Sequence, residues 1–227
     1  MTTKIFIFDA SSLINLTMNG LEDILPKLKN KFKGKFIMPE SVKYEVIDRP
    51  MNIKKFKLGA LKLRDLLKKR VLELPSSLKI KGGELNKKAK SIEKLADKSF
   101  STRDKFIELI QAGESECLAL SLICQEKGIQ SMIVVDERTT RMLVEKPENL
   151  KKVFEKKLHS NIVLHPETLP KLPKIKIIRS AELIWLAHKM KLIEFNANGE
   201  LLDALLYASK YKGCAISRQE IEELKKL

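Results

Sequence analysis

Aromatic residues are scarce in this chain: 9 Phe, 3 Tyr and 1 Trp make up only 6% of its 227 residues, which leaves little for reading bases by stacking. Cysteine is scarcer still. Cys117, Cys124 and Cys214 form no close-spaced metal pair, and an odd count without a secretion signal points to reduced thiols in a cytoplasmic protein. No apolar run approaches a membrane span, because the run at Lys4 to Phe8 stops at Asp9 and is too short even for a signal-peptide core. The sequence also lacks Gly-x-x-x-x-Gly-Lys-Ser/Thr and Gly-x-Gly-x-x-Gly, which removes the phosphate-loop and dinucleotide classes. Ser11 and Ser12 have no Gly-x-Ser-x-Gly elbow around them, so a serine hydrolase has no support.

What is abundant is positive charge. Lys and Arg number 44 against 29 Asp and Glu, a formal charge of +15, and polyanions are the natural partners of such a surface. Residues 51 to 105 hold 17 of the cations and 6 of the acids. Lys54, Lys55, Lys57, Lys62, Arg64, Lys68, Lys69 and Arg70 can bind phosphates along one groove, although lysine-rich helices also serve simply as solvated faces.

A hydrophobic fraction of 44% over this length fills one sizeable domain with an insertion, or two small ones. Ile5 to Phe8 and Ser131 to Val135 are short apolar strands that each deliver an acid, Asp9 and Asp136. Further strands are predicted at Phe36 to Met38, Val71 to Leu74 and, as an outer strand, Asn161 to Leu164, with helices between them from Ser11 and over about 40 to 47. The alternation predicts a three-layer α/β/α, doubly wound parallel sheet over residues 1 to 170. The Lys-rich stretch at about 51 to 105 reads as a helical insertion. Pro166, Pro170 and Pro173 mark a linker, and residues 171 to 227 read as a helical segment whose last helix starts at the capping box Ser217-Arg218-Gln219-Glu220.

Four segments place carboxylates where such a sheet exposes them: Phe8-Asp9-Ala10-Ser11-Ser12, Pro39-Glu40-Ser41-Val42-Lys43-Tyr44-Glu45, Ala112-Gly113-Glu114-Ser115-Glu116 and Val135-Asp136-Glu137-Arg138. The functional crevice of an open α/β sheet lies beyond the carboxyl ends of its strands, so Asp9 and Asp136 can face one opening. Glu114 opens a helix, where the dipole favours an anion, while Glu116 is rotated about 200° from it and points elsewhere. A single acid of this kind is usually a helix cap or turn residue. Several repelling one another in a crevice call for a hard divalent cation with oxygen ligands, Mg²⁺ or Mn²⁺.

Taken in order, Phe8-Asp9-Ala10-Ser11, the helix with Tyr44-Glu45-Val46, Gly113-Glu114-Ser115-Glu116-Cys117 and Val134-Val135-Asp136-Glu137-Arg138 resemble the successive motifs of the PIN-domain nucleases. The likeness covers roughly 1 to 50 and 106 to 165, and the tail from Arg179 is similar to a helical segment of prokaryotic members. Glu114 stands where many members carry Asp, and the 51 to 105 stretch exceeds a minimal domain. The resemblance implies a metal-dependent endoribonuclease with Asp9, Glu45, Glu114 and Asp136 as catalytic acids. Asp9, Glu114 and Asp136 would hold the metal, and Ser11, Glu116 and Glu137 would support them.

Two other readings remain at this stage. One is an RNA-binding module of the same fold that does not cleave, acting in a ribonucleoprotein or in ribosome maturation through the cations at 54 to 70. The other is a toxin-type ribonuclease checked by an antitoxin. The apolar faces of the tail, such as Leu183, Ile184, Leu202 and Leu206, are core packing or a homodimer contact. His159, His165 and His188 are not expected at the site, and a strand-terminal Asp phosphotransferase needs a second Asp where Ser11 stands.

Overall fold

The computed structural model describes residues 4–103, 105–172, 175–195 and 199–227. Among the described residues six strands lie along the chain: β1 (Lys4–Phe8), β2 (Lys35–Ile37), β3 (Phe100–Ser101), β4 (Gln130–Val134), β5 (Val163–Leu164) and β6 (Ile177–Ile178). Four of them form one parallel sheet in the order β2-β1-β4-β6, with Phe8 opposite Val134 where β1 and β4 end. Ile5 to Phe8 are buried on both faces of the sheet, the environment that lets a parallel strand be uniformly apolar.

The longer connections are helical. They are α1 (Ala10–Met18), α2 (Ile24–Phe32), α3 (Glu40–Lys43), α4 (Lys57–Lys68), α5 (Gly82–Ala96), α6 (Ala112–Glu126), α7 (Arg138–Glu145), α8 (Pro147–Leu158), α9 (Ser180–Lys189), α10 (Leu201–Tyr211) and α11 (Arg218–Lys226). A mixed α/β fold around a parallel sheet is thus present, in an arrangement consistent with three layers. Among the described residues no helix is long and apolar enough to cross a membrane.

Three expectations change in detail. Val71 to Leu74 contributes only a bridge beside β2, where Glu73 gives its N–H to Phe36 and accepts from Met38. The predicted outer strand at Asn161 to Leu164 supplies β5, which pairs antiparallel with β3 in a separate two-stranded ribbon. The outer strand of the main sheet is instead β6, just past the proline linker, of which Pro173 lies outside the described residues. Two-residue strands carry too short a pattern to be read from period alone.

The Lys-rich insertion is built into the main core. Leu63 and Leu66 of α4, and Leu85, Ala89, Ile92 and Ala96 of α5, recur at helical spacing and are buried in the same cluster as β1 and α6. The tail joins it as well, since Leu183, Ile184 and Ala187 of α9 enter that cluster. A second, small cluster of Leu202, Leu206, Ile216, Ile221 and Leu224 holds α9 to α11 together. The capping box is formed, with Ser217 Oγ accepting from the Glu220 N–H at 3.1 Å and Glu220 Oε2 accepting from the Ser217 N–H at 2.8 Å.

Candidate active site

Because β1 and β4 run side by side and end together, the residues after them emerge at one edge. Asp9 caps α1 there: its Oδ2 accepts from the Ser11 N–H at 3.0 Å and from the Ser11 hydroxyl at 2.6 Å. Ser11 Oγ in turn accepts from the Asp136 N–H at 3.0 Å, so this one serine ties the two strand ends together. Asp9 is almost fully buried, and burial pushes its carboxyl up while the Ser11 hydrogen bonds pull it down.

Glu45 is carried by a single π-helical turn, Tyr44–Asp48, that continues α3. Such turns rephase the side chains that follow and are frequent at functional sites. Opposite it, α6 carries a glycine in its first turn. A Cβ on Gly113 would lie 3.5 Å from Glu45 Oε2 and 3.8 Å from Asp9 Oδ1, with Val42 only 3.2 Å away. The missing side chain therefore lets the two carboxylates face each other across the helix start. Burial lifts the Glu45 carboxyl, Asp9 lifts it further, and the Arg49 guanidinium opposes both.

Glu114 reaches back to the N–H of Gln111 at 2.7 Å and accepts from the Thr140 hydroxyl at 2.9 Å. Burial is the main cause that raises its carboxyl to about 7; the charges on Asp9 and Glu137 add to it, and the two hydrogen bonds work against it. Glu137 caps α7 by accepting from the Thr140 N–H at 2.9 Å. Thr140 thus bonds Glu114 through its hydroxyl and Glu137 through its backbone, and Glu137 also acts on Asp9. Asp9, Glu45, Glu114 and Glu137 converge, and among the described residues none of the four forms an ion pair with Lys or Arg.

Asp136 is placed differently. Its two oxygens accept from the N–H and the hydroxyl of Ser180, at 2.7 and 2.6 Å, and its carbonyl accepts from the Ala215 N–H at 3.0 Å. The carboxylate is turned onto the first turn of α9, where it holds the tail. Glu116 is likewise committed elsewhere, accepting from the Ser41 N–H at 3.0 Å at the start of α3. Reading the sequence alone picks out neither Thr140 nor Ser180, nor Arg49 beside Glu45. Only the change from strand to helix at Glu137 signals that residues three positions on can serve as its cap partner.

The cations named from the sequence do not share one groove. Lys54, Lys55 and Lys57 are exposed at the start of α4, Lys68, Lys69 and Arg70 at its end, and Arg64 is half-buried between them. The helical rise separates the two groups by about 16 Å. Lys69 is paired with Asp65 at 2.7 Å, and Lys62 with Glu22. Beside the first group, an apolar cavity of about 480 Å³ opens between α1 and α4, with Met18, Ile53, Phe56 and Glu45 in its walls.

Among the described residues no three His, Cys, Asp or Glu side chains stand together as a ready-made metal site. The donor chemistry nevertheless fits a hard cation. All four converging groups are carboxylates, and three of them, Asp9, Glu45 and Glu114, are shifted toward the neutral form by burial and mutual repulsion. Cys117 offers no soft alternative, since burial keeps its thiol well above the usual range and its sulfur lies 3.7 Å from the Phe8 carbonyl. No protein-family model, curated protein or solved structure matches the chain.

Proposed function

We propose that this chain is a PIN-type endoribonuclease dependent on Mg²⁺ or Mn²⁺, with Asp9, Glu45, Glu114 and Glu137 as its working acids. The observation that carries this reading is the clustering of four carboxylates, none of them ion-paired to Lys or Arg among the described residues, at the carboxyl edge of a parallel sheet. The order of Asp9, Glu45, Glu114 and Asp136 along the chain, which resembles that of the acids of PIN nucleases, and the formal charge of +15 support RNA as the substrate, with Glu137 taking the place beside the other three that the resemblance gives to its neighbour Asp136.

Asp9 and Glu114 are the residues to hold the cation, with Glu45 and Glu137 around them. When bound, the ion supplies a water of lowered pKa and neutralises charge on the phosphate under attack. The protein's own part is positional. Ser11 fixes Oδ2 of Asp9 and leaves Oδ1 directed toward Gly113 and Glu45. Thr140 and Gln111 fix both oxygens of Glu114. Glu114, whose carboxyl burial raises to about 7, would hold such an ion in its ionised form. Asp136 serves here as the anchor of α9 and not as a ligand.

The test is incubation of a pool of structured and single-stranded RNAs with Mn²⁺, Mg²⁺ or EDTA, running the wild type beside Asp9→Asn. Asn keeps an oxygen for the two Ser11 donors, so the variant folds, and its metal-dependent products are expected to vanish. Intact RNA that the wild type nonetheless retains would replace the nuclease with a non-cleaving RNA-binding module. Equal cleavage by Asp9→Asn would sink the site.

A further inference from the structure

Outside the acid site, a one-sided cationic surface lies between α7 and α8. These two helices are joined by Lys146 alone and pack against each other. The groove between them, about 510 Å³, is lined by Arg138 and Met142 from α7 and by Asn149, Lys152, Val153, Lys156 and Lys157 from α8. The α8 residues follow helical spacing, i, i+3, i+4, i+7 and i+8, and so share one face. Leu150 and Phe154, about 100° round the helix from the centre of this face, are buried in the core. The groove contains four cations, an amide and two apolar side chains, and no acid.

Arg138, Lys152, Lys156 and Lys157 are exposed, and among the described residues none of them has a carboxylate within ion-pair distance. Their neighbours Lys151 and Arg141 do, with Glu155 and Glu145 one helical turn on. Acids on α7 and α8 are therefore spent along the flanks and withheld from the groove. Four like charges on one short face repel one another, and only a polyanion lying across them turns that repulsion into binding.

The groove also has a direction. Arg138 follows Glu137 at the start of α7, and it lines the groove together with Lys156 and Lys157 from the end of α8. The cationic face thus starts at the rim of the acid cluster and runs away from it.

We propose that the α7–α8 groove binds the sugar-phosphate backbone of the RNA and leads it to the acids, a role that the sequence reading gave to the residues around α4. The destination of the strand rests on the nuclease reading; the binding itself does not. Phosphates fit this surface better than an acidic protein segment, because its cations recur at regular helical spacing along the groove, as charges do along a sugar-phosphate backbone. The aliphatic stems of the lysines and the sides of Met142 and Val153 line the floor without offering a pocket for apolar anchors.

The test measures binding of a single-stranded RNA of mixed sequence in EDTA, where no cleavage occurs, as a function of salt. Wild type is compared with a Lys152→Ala, Lys156→Ala, Lys157→Ala triple variant and with Arg138→Gln. All four side chains are exposed, so both variants are expected to melt like wild type. Three lost phosphate contacts should flatten the log–log salt slope by about 2 and raise Kd roughly 10- to 100-fold near 0.1 M salt, and Arg138→Gln should flatten it by about 0.7. Unchanged Kd and slope in a wild type that cleaves RNA would overturn the groove while leaving the nuclease standing. If wild type binds no RNA at all, groove and nuclease fall together. Polyglutamate held as tightly as RNA, and lost in the same triple variant, would make this an acidic-protein dock and overturn the proposal.

Discussion

Glu114 keeps both of its oxygens hydrogen-bonded and still has its carboxyl raised to about 7, because burial and the charges on Asp9 and Glu137 outweigh what Gln111 and Thr140 give back. The sign of the consequence follows directly. A carboxyl that binds its proton more tightly when folded favours the fold at low pH, and that advantage is lost as pH rises from the ordinary 4.5 through about 7. In EDTA, the urea midpoint is therefore expected to fall across this window, by a free energy of the order of 2 kcal/mol, and Mg²⁺ or Mn²⁺ should restore it above pH 7. Glu114→Gln should flatten the dependence, since its amide oxygen still accepts from Gln111 while its NH₂ donates to a Thr140 hydroxyl turned to accept. A midpoint that stays level from pH 4.5 to 7 in the wild type would contradict the raised carboxyl. Asp9 and Glu114 were legible in the sequence because each follows a local rule, an acid closing a strand and an acid opening a helix. How the adjacent Asp136 and Glu137 divide their hydrogen bonds was not, because the Asp136 carboxylate is taken up by Ser180, 44 residues further on.

At the level of elements, the turn from β4 into α7 divides its two acids between separate tasks. Glu137 caps α7 beside Glu114, while Asp136 is bonded to the first turn of α9 and, through its carbonyl, to Ala215. Substituting each should separate the tasks. Glu137→Gln keeps an oxygen for the Thr140 N–H, so stability changes little, but loss of its charge beside Asp9 is expected to lower metal affinity and cleavage about 10- to 100-fold. Asp136→Ala leaves the buried Ser180 N–H without its acceptor and its hydroxyl with Ser209 alone, which should cost about 1–3 kcal/mol in urea unfolding. The reverse pattern, with Asp136→Ala stable but inactive and Glu137→Gln fully active, would return Asp136 to the metal. The same tail shows which elements sequence patterns can give. The Ser217–Glu220 capping box formed as read, because its rule is local; β6, two residues long, had no pattern of its own and exists because β4 offers it an open edge.

For the whole molecule, the division at residue 170 that composition and prolines indicate becomes a question about the core. A separable tail would leave residues 1 to 170 able to fold alone. The contacts point the other way. β6 is the edge strand beside β4, giving the Val135 N–H its acceptor at Ile178, and α9 sends Leu183, Ile184 and Ala187 into the cluster that contains β1. The Asn15 amide, buried in α1, donates to the Ser209 carbonyl of α10 at 2.8 Å. Removing residues 171 to 227 would expose the apolar face under α9 and leave Asn15 and Asp136 buried without partners, several losses of 1–3 kcal/mol each against a typical total of about 5–15 kcal/mol. The 1–170 fragment is accordingly expected to show no cooperative thermal transition by circular dichroism and to bind a hydrophobic dye, whereas the full chain melts in one step. A fragment that melts cooperatively near the temperature of the full chain would mean that the tail is an appendage. The basic stretch at 51 to 105 invites the same misreading for the same reason: its lysines mark its solvent face, while Leu63, Leu85 and Ile92 on the other face belong to the common core. Charge composition reports what faces water, and domain boundaries are set by what does not.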